Sequence, residues 1–234
     1  INIEDIPHAN IVIGGPPCQS FSLAGKRNVE DERGRLVWRY IHIIEQVKPK
    51  AFVFENVTGL LSAKNSNGEK IIDLLKYAFK DIGYNVTQQV MNAADYGIPQ
   101  KRKRVILVGL KNGEFVFPKP THSEDGLTLK KYVSVEEALG DLPPATFDEN
   151  GVVEFLNNPV TDYQKSMRRG KSVSEHFFPQ MSELDKYIVK HVKPGGNYMD
   201  IPPEVNSERI KRLQREGGHT TCYGRMDPSK PSYT

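Results

Sequence analysis

The sequence predicts an α/β fold: a doubly wound sheet followed by a smaller lobe. Three observations carry that expectation. Short apolar runs alternate with stretches of helical period along residues 1–118, the pattern of strand–helix–strand crossovers. Pro49 and Gly83 fall just past the ends of two helical stretches, where chain breakers belong. From about residue 119 the texture changes, with Pro118, Pro120, Pro143, Pro144 and Pro159 close together and little periodicity.

Taken in order, Asn10–Ile13 reads as a buried strand. Leu36–Val47 places Leu36, Tyr40, Ile43, Ile44 and Val47 on one helical face. Lys48-Pro49 ends that helix, and Ala51-Phe52-Val53-Phe54 is a second buried strand. Glu69–Lys80 is an amphipathic helix with Ile71, Ile72, Leu75, Ala78 and Phe79 inward. Tyr84–Met91 and Val105–Leu110 are two further strands. Beyond residue 119 two short helical patterns stand out, Ser182–Val192 and Ser207–Arg215, the first broken by Lys193-Pro194-Gly195-Gly196.

A hydrophobic content of 38% with 26% charge suits a globular protein with a sizeable core. The net charge of +3 decides nothing about partners. No apolar run is long enough to span a bilayer and no signal-peptide pattern opens the chain, so the expected location is the cytoplasm. Cys18 and Cys222 are the two cysteines, too few for a disulfide framework. No metal-ligand spacing is present. The start on a strand-like run and the stop at Pro231-Ser232-Tyr233-Thr234 read as those of a piece of a longer protein.

The chemistry is concentrated in three places. Gly14-Gly15-Pro16-Pro17-Cys18-Gln19-Ser20-Phe21-Ser22 follows the apolar run Ile11–Ile13. Two glycines allow a sharp departure from the strand, and two prolines then stiffen the arm, so the thiol is held as a nucleophile requires. Glu55-Asn56 directly follows the second strand, and a right-handed crossover would bring both strand ends to one rim. Phe52-Val53-Phe54 would set Glu55 against apolar walls, where a raised pKa and an acid role follow. Gln100-Lys101-Arg102-Lys103-Arg104 runs straight into a strand, so Arg102 and Arg104 would share one face. If that strand is antiparallel, its start reaches the same rim and offers forked donors to a carbonyl oxygen.

A thiol, a carboxyl and arginine forks suit a ring activated by protonation at nitrogen and held by its carbonyl. Cytosine fits, with sulfur adding to C6, the acid serving N3 and arginine holding O2.

On these residues the chain resembles the cytosine-C5 DNA methyltransferases that use S-adenosylmethionine. Gly15–Ser22 is similar to that family's nucleophile motif, Glu55-Asn56-Val57 to its acid motif, and Gln100–Arg104 to its Gln-x-Arg-x-Arg motif. Asp31-Glu32-Arg33-Gly34-Arg35-Leu36 resembles its Asp-x-Arg-Gly-x-Leu segment. Thr221-Cys222-Tyr223-Gly224-Arg225-Met226, with Pro228 and Pro231, resembles the start of its target-recognition region. The resemblance spans essentially the whole chain with the motifs in order.

It implies a Rossmann-like methyltransferase sheet, mostly parallel with an antiparallel strand and incomplete here, with residues 1–118 part of the catalytic domain and 119–234 a connecting region and the start of the target-recognition region. It implies Cys18 as nucleophile, Glu55 as N3 proton donor, and Arg102 with Arg104 at the base. Pro17, Leu36 and Asn56 would lie on the S-adenosylmethionine side, Asn56 also holding the site together. Residues 19–35 would be a mobile loop closing over double-stranded DNA. Gln19, Ser20, Ser22, Lys26, Arg27 and Arg33 would contact DNA there, joined by Tyr223 and Arg225. The target base must leave the stack to reach the thiol.

The family's Phe-x-Gly-x-Gly cofactor loop is absent, as are its closing motifs, so the chain reads as the middle of a restriction–modification type enzyme. On that reading it binds the cofactor poorly alone and needs the rest of the enzyme or a complementary subunit. Three alternatives share features with this reading: a tRNA cytosine-C5 methyltransferase, a thymidylate-synthase-like enzyme, and a DNA-binding half of a split methyltransferase. The tRNA branch typically has threonine where Ser22 stands, and the Glu-Asn-Val and Gln-x-Arg-x-Arg context argues against the second.

Overall fold

The computed structural model describes residues 5–17, 35–65, 67–146, 148, 150–178, 180–205, 207–219 and 221–233. The chain divides into two units, residues 1–92 with 103–119, and residues 93–102 with 120–234.

The first unit contains β1 (Ile11–Gly14), α1 (Arg35–Val47), β2 (Ala51–Val57), α2 (Ile71–Asp81), β3 (Asn85–Asn92) and β4 (Lys103–Leu110). The strands form one sheet in the order β1-β2-β4-β3. β1 pairs parallel with β2, and β4 pairs antiparallel with both β2 and β3. Three strands therefore run one way and β4 alone runs against them, as the resemblance implied.

Alternation along β2 buries Phe52, Phe54 and Asn56. Their face joins α1 and α2 in one core cluster containing Tyr40, Ile44, Leu75, Phe79, Tyr84 and Leu107. Phe52 stacks against Phe79 with ring centroids 4.2 Å apart. Each such aromatic contributes roughly 2–3 kcal/mol on burial. Gly109 stands opposite Phe52 in the ladder, where a Cβ would overlap the Phe52 ring. α2 ends as the sequence indicates. Gly83 takes φ 87°, a conformation glycine adopts without cost, and its N–H donates to Lys80 O.

The second unit holds α3 (Val135–Leu139), β5 (Val152–Glu154), α4 (Asp162–Met167), β6 (Ser172–Ser174), α5 (Glu183–His191) and α6 (Glu208–Glu216). Reciprocal capping boxes start α3 (Ser134 with Glu137) and α4 (Thr161 with Gln164). Arg168 pairs with Asp141 at 2.6 Å, both side chains nearly buried, and its guanidinium lies 3.8 Å over the Phe155 ring. Ile188, Val192, Tyr198, Ile201, Val205 and Ile210 form a separate core. Among the described residues no helix is long and apolar enough to cross a membrane.

Four expectations change. Among the described residues β1 is the outer strand of the sheet, and Ile11 and Ile13 are 58% and 75% exposed rather than buried. α1 turns inward Val37, Tyr40, Ile41, Ile44 and Val47, leaving Leu36 exposed and Ile43 half-buried. Its apolar residues form two overlapping stripes, and packing selects the one centred on Tyr40 and Ile44. β2 continues through Val57, because its ladder with β4 extends to the pair Val57–Arg104. β4 begins at Lys103, so Arg102 lies outside the strand and in the other unit, and the alternation joining Arg102 to Arg104 does not hold.

Candidate active site

Pairing β1 parallel to β2 sets Gly14 beside Phe54, so the arm Gly15-Pro16-Pro17 leaves the sheet beside Glu55-Asn56. Neither Gly14 nor Gly15 has a left-handed backbone. Space, not conformation, demands glycine at both. A Cβ on Gly14 would overlap the Tyr40 ring, and one on Gly15 would lie 3.0 Å from Glu55 Oε2.

Because β2 continues past Phe54, Glu55 and Asn56 point to opposite faces. Glu55 is therefore not walled by Phe52 and Phe54. Its side chain is 40% exposed and its partner is Arg104, whose Nε lies 2.9 Å from Oε1. Arg104 Nη1 also donates to Lys103 O at 2.8 Å. Asn56 turns into the core, 3% exposed. Its Oδ1 accepts from Val57 N at 2.8 Å and its Nδ2 donates to Pro16 O at 3.4 Å, tying the arm to β2. The antiparallel β4 delivers Arg104 opposite Val57 on one side and Met91 on the other.

Arg102 is exposed, with its backbone bonded to Ala93 and Gln100. Tyr223 takes φ 51° and its ring lies 5.8 Å from the Arg209 guanidinium. Arg225 Nη1 donates to Val192 O at the end of α5, 3.2 Å away. Both have partners within their own unit. Cys18, Gln19, Ser20, Ser22, Lys26, Arg27 and Arg33 lie outside the described residues. Toward S-adenosylmethionine, exposed Pro17 and Leu36 fit an apolar wall. Asn56 spends its amide inside the chain.

Sequence reasoning missed Tyr40 as a site-building residue. Its neighbour Gly14, an unforced glycine at a strand end, was the available signal.

The sheet presents a proline arm, a carboxylate and an arginine from three adjacent strands. The chain belongs to the C-5 cytosine-specific DNA methylase family, whose model matches residues 1–229. It is 45% identical over 153 residues to the type II methyltransferase M.AquIA of Picosynechococcus, covering 58% of this chain and 62% of that one. It is 44% identical to M.BspRI of Lysinibacillus sphaericus over 85% of this chain and 44% of the relative. With M.NgoFVII of Neisseria gonorrhoeae the identity is 32% over all of this chain and 54% of the relative. The chain thus spans about half the length of these curated relatives. A crystal structure described as an E. coli prophage DNA modification methyltransferase superposes with a TM-score of 0.65 at 18% identity, covering 99% of this chain and 63% of that one, a likeness of fold.

Proposed function

We propose that this chain carries the base-chemistry part of a DNA (cytosine-5)-methyltransferase of restriction–modification type, methylating a flipped-out cytosine in duplex DNA. The observation that carries the reading is the Glu55–Arg104 pair at 2.9 Å on the rim where the Pro16-Pro17 arm leaves the sheet. Residues 1–118 are assigned to the catalytic domain and 119–234 to the connecting region and the start of target recognition.

The Cys18 thiolate adds to C6, and the C5=C6 electron pair moves into the ring as Glu55 gives its proton to N3. Arg104 has a second donor edge for O2, so the pair loosens as the base enters and each partner takes up one ring position. Arg102 serves the same base from the neighbouring segment. S-adenosylmethionine, when bound, supplies the electrophilic methyl group that C5 attacks. Loss of the C5 proton to solvent water expels the Cys18 thiolate, and return of the N3 proton to Glu55 leaves the neutral aromatic ring. Asn56 holds the arm at working height, and Pro17 and Leu36 offer apolar surface to the cofactor. Gln19, Ser20, Ser22, Lys26, Arg27, Arg33, Tyr223 and Arg225 are assigned to phosphate and base contacts. The site requires the remainder of the enzyme, or a complementary subunit, to complete the cofactor pocket. The cytoplasm is the assigned location.

The test is covalent trapping of the complete encoded polypeptide on duplex DNA containing 5-fluorocytosine, with S-adenosylmethionine present. An adduct lost in Cys18→Ala and slowed in Glu55→Gln is expected. An adduct that survives Cys18→Ala, or methylation of tRNA but not DNA, sinks the reading.

A further inference from the structure

We infer that Tyr40 is a positioning residue for this reaction, its hydroxyl fastening β1 to β2 just below the point where the nucleophile arm leaves the sheet beside Glu55. The inference rests on the functional reading above and adds a residue to it. Tyr40 sits in the middle of α1 and is 6% exposed. Its hydroxyl lies 2.9 Å from Val53 O and 3.3 Å from Val12 O, donating to the nearer and within reach of the other. Val53 stands two residues before Glu55, and Val12 two residues before Gly14. One phenol therefore references the height of both strands just before the site.

Three further observations give that contact a purpose. β1 is only four residues long, so its ladder with β2 comprises four residue pairs and a contact across the two strands adds appreciably to it. The Tyr40 ring is fixed edge-on against Phe54, Phe52 and Phe79, with centroids at 5.5, 6.3 and 6.3 Å, so the hydroxyl cannot swing away. Gly14 gives up its Cβ to let the ring lie against the last residue of β1. A phenylalanine would fill the same ring volume, so packing alone does not account for the hydroxyl. Burial, reinforced by Tyr84 nearby, holds the phenol protonated far above its ordinary range, so it stays a donor.

The same core provides the control. Tyr84 is equally buried and its hydroxyl donates to Pro49 O at 2.7 Å, at the opposite end of β2 from the site. Tyr40→Phe and Tyr84→Phe each remove one buried hydroxyl, but only the first loosens the rim. The assay is methyl incorporation into unmethylated genomic DNA from radiolabelled S-adenosylmethionine by the complete encoded polypeptide. Rates are expressed per folded molecule by circular dichroism. Tyr40→Phe is expected to lower kcat about five- to tenfold, since sub-ångström misplacement of reacting groups costs rate steeply. KM for DNA should stay within about twofold, the signature of a lost transition-state alignment. Tyr84→Phe should show a comparable drop in melting temperature and an unchanged kcat. If Tyr40→Phe keeps the wild-type kcat, or Tyr84→Phe loses as much, the inference is overturned while the functional reading stands. A wild-type protein that methylates no DNA overturns both.

Discussion

The adjacent glycines at the end of β1 give opposite expectations for the same substitution. Both have backbone conformations an alanine can adopt, so the outcome depends on what the new methyl meets. At Gly14 it meets the Tyr40 ring, locked among Phe52, Phe54 and Phe79 and anchored through its hydroxyl. Nothing there gives way, and overpacking of this kind costs about 1–3 kcal/mol. For a domain of this size each kcal/mol is about 2–4 °C, so Gly14→Ala should lower the melting temperature by about 2–12 °C. At Gly15 the methyl lies 3.0 Å from Glu55 Oε2, the far end of a flexible, partly exposed side chain. That oxygen can retreat by a few tenths of an ångström, so the stability loss should stay below about 1 kcal/mol. The retreat, however, disturbs the 2.9 Å contact with Arg104. Gly15→Ala should therefore cost about tenfold in methylation while melting close to the wild type. The single tryptophan, Trp38, lies on α1, so its fluorescence follows the unit concerned. Equal melting losses in the two variants, or an unperturbed Gly14→Ala, would refute the reasoning.

Other outcomes follow from the same structure. Gly109→Ala places a methyl in the Phe52 ring, and pairing it with Phe52→Leu should recover much of the loss in a double-mutant cycle by urea denaturation. Arg168→Met leaves Asp141 buried without its partner and should cost about 3–5 kcal/mol, whereas the double variant with Asp141→Leu should regain most of it. Tyr40 and Tyr84 both have pKa values raised by burial, so the folded state retains their protons longer than the unfolded chain. Their contribution is complete below the ordinary phenol value near 10 and is lost as pH rises toward the folded values. Alkaline unfolding should thus steepen above about pH 10 and flatten in Tyr40→Phe/Tyr84→Phe, as circular dichroism against pH would show. Hydrogen bonds from Ser229 and Lys230 hold Asp227 down at about 2. Its contribution is present above the ordinary carboxylate range and fades toward pH 2, and Asp227→Asn should remove that acid dependence.

The α/β order and the second helix were legible because each rests on a local pattern, whereas the opposed direction of β4 is set by its ladders with β2 and β3 and was only implied by the resemblance. Ile71, Ile72, Leu75 and Phe79 recur at helical spacing and are all buried. α1 was harder to read. With Leu36, Val37, Trp38, Tyr40, Ile41, Ile43, Ile44 and Val47 in one helix, the sequence offers more apolar residues than one face can bury. Only the opposing sheet decides between Leu36 and Val37. Glu55 was placed in the wrong surroundings, since a strand's end is set by how far its partner's ladder runs, and β4 carries it to Val57. The face expected to join Arg102 to Arg104 does not form for a related reason: the backbone bonds of Arg102 to Ala93 and Gln100 take it off the ladder before the strand starts. The short helices α3 and α4 do have a readable signal in Ser134-x-x-Glu137 and Thr161-x-x-Gln164, which outweighs their weak periodicity. The arm's anchor, Asn56 Nδ2 to Pro16 O, crosses 40 residues and no local pattern announces it.

Glu55, Asn56 and Arg104 are rungs of the β2–β4 ladder itself, in register with the central strands of the core. Their backbone amides should accordingly exchange with solvent deuterium as slowly as those of Phe54 and Leu107, and release only when the whole sheet opens. On warming, loss of the carboxylate–guanidinium geometry should then coincide with cooperative unfolding of the first unit rather than precede it. Thermal inactivation arising earlier than that transition would have to originate in parts of the enzyme other than these rungs.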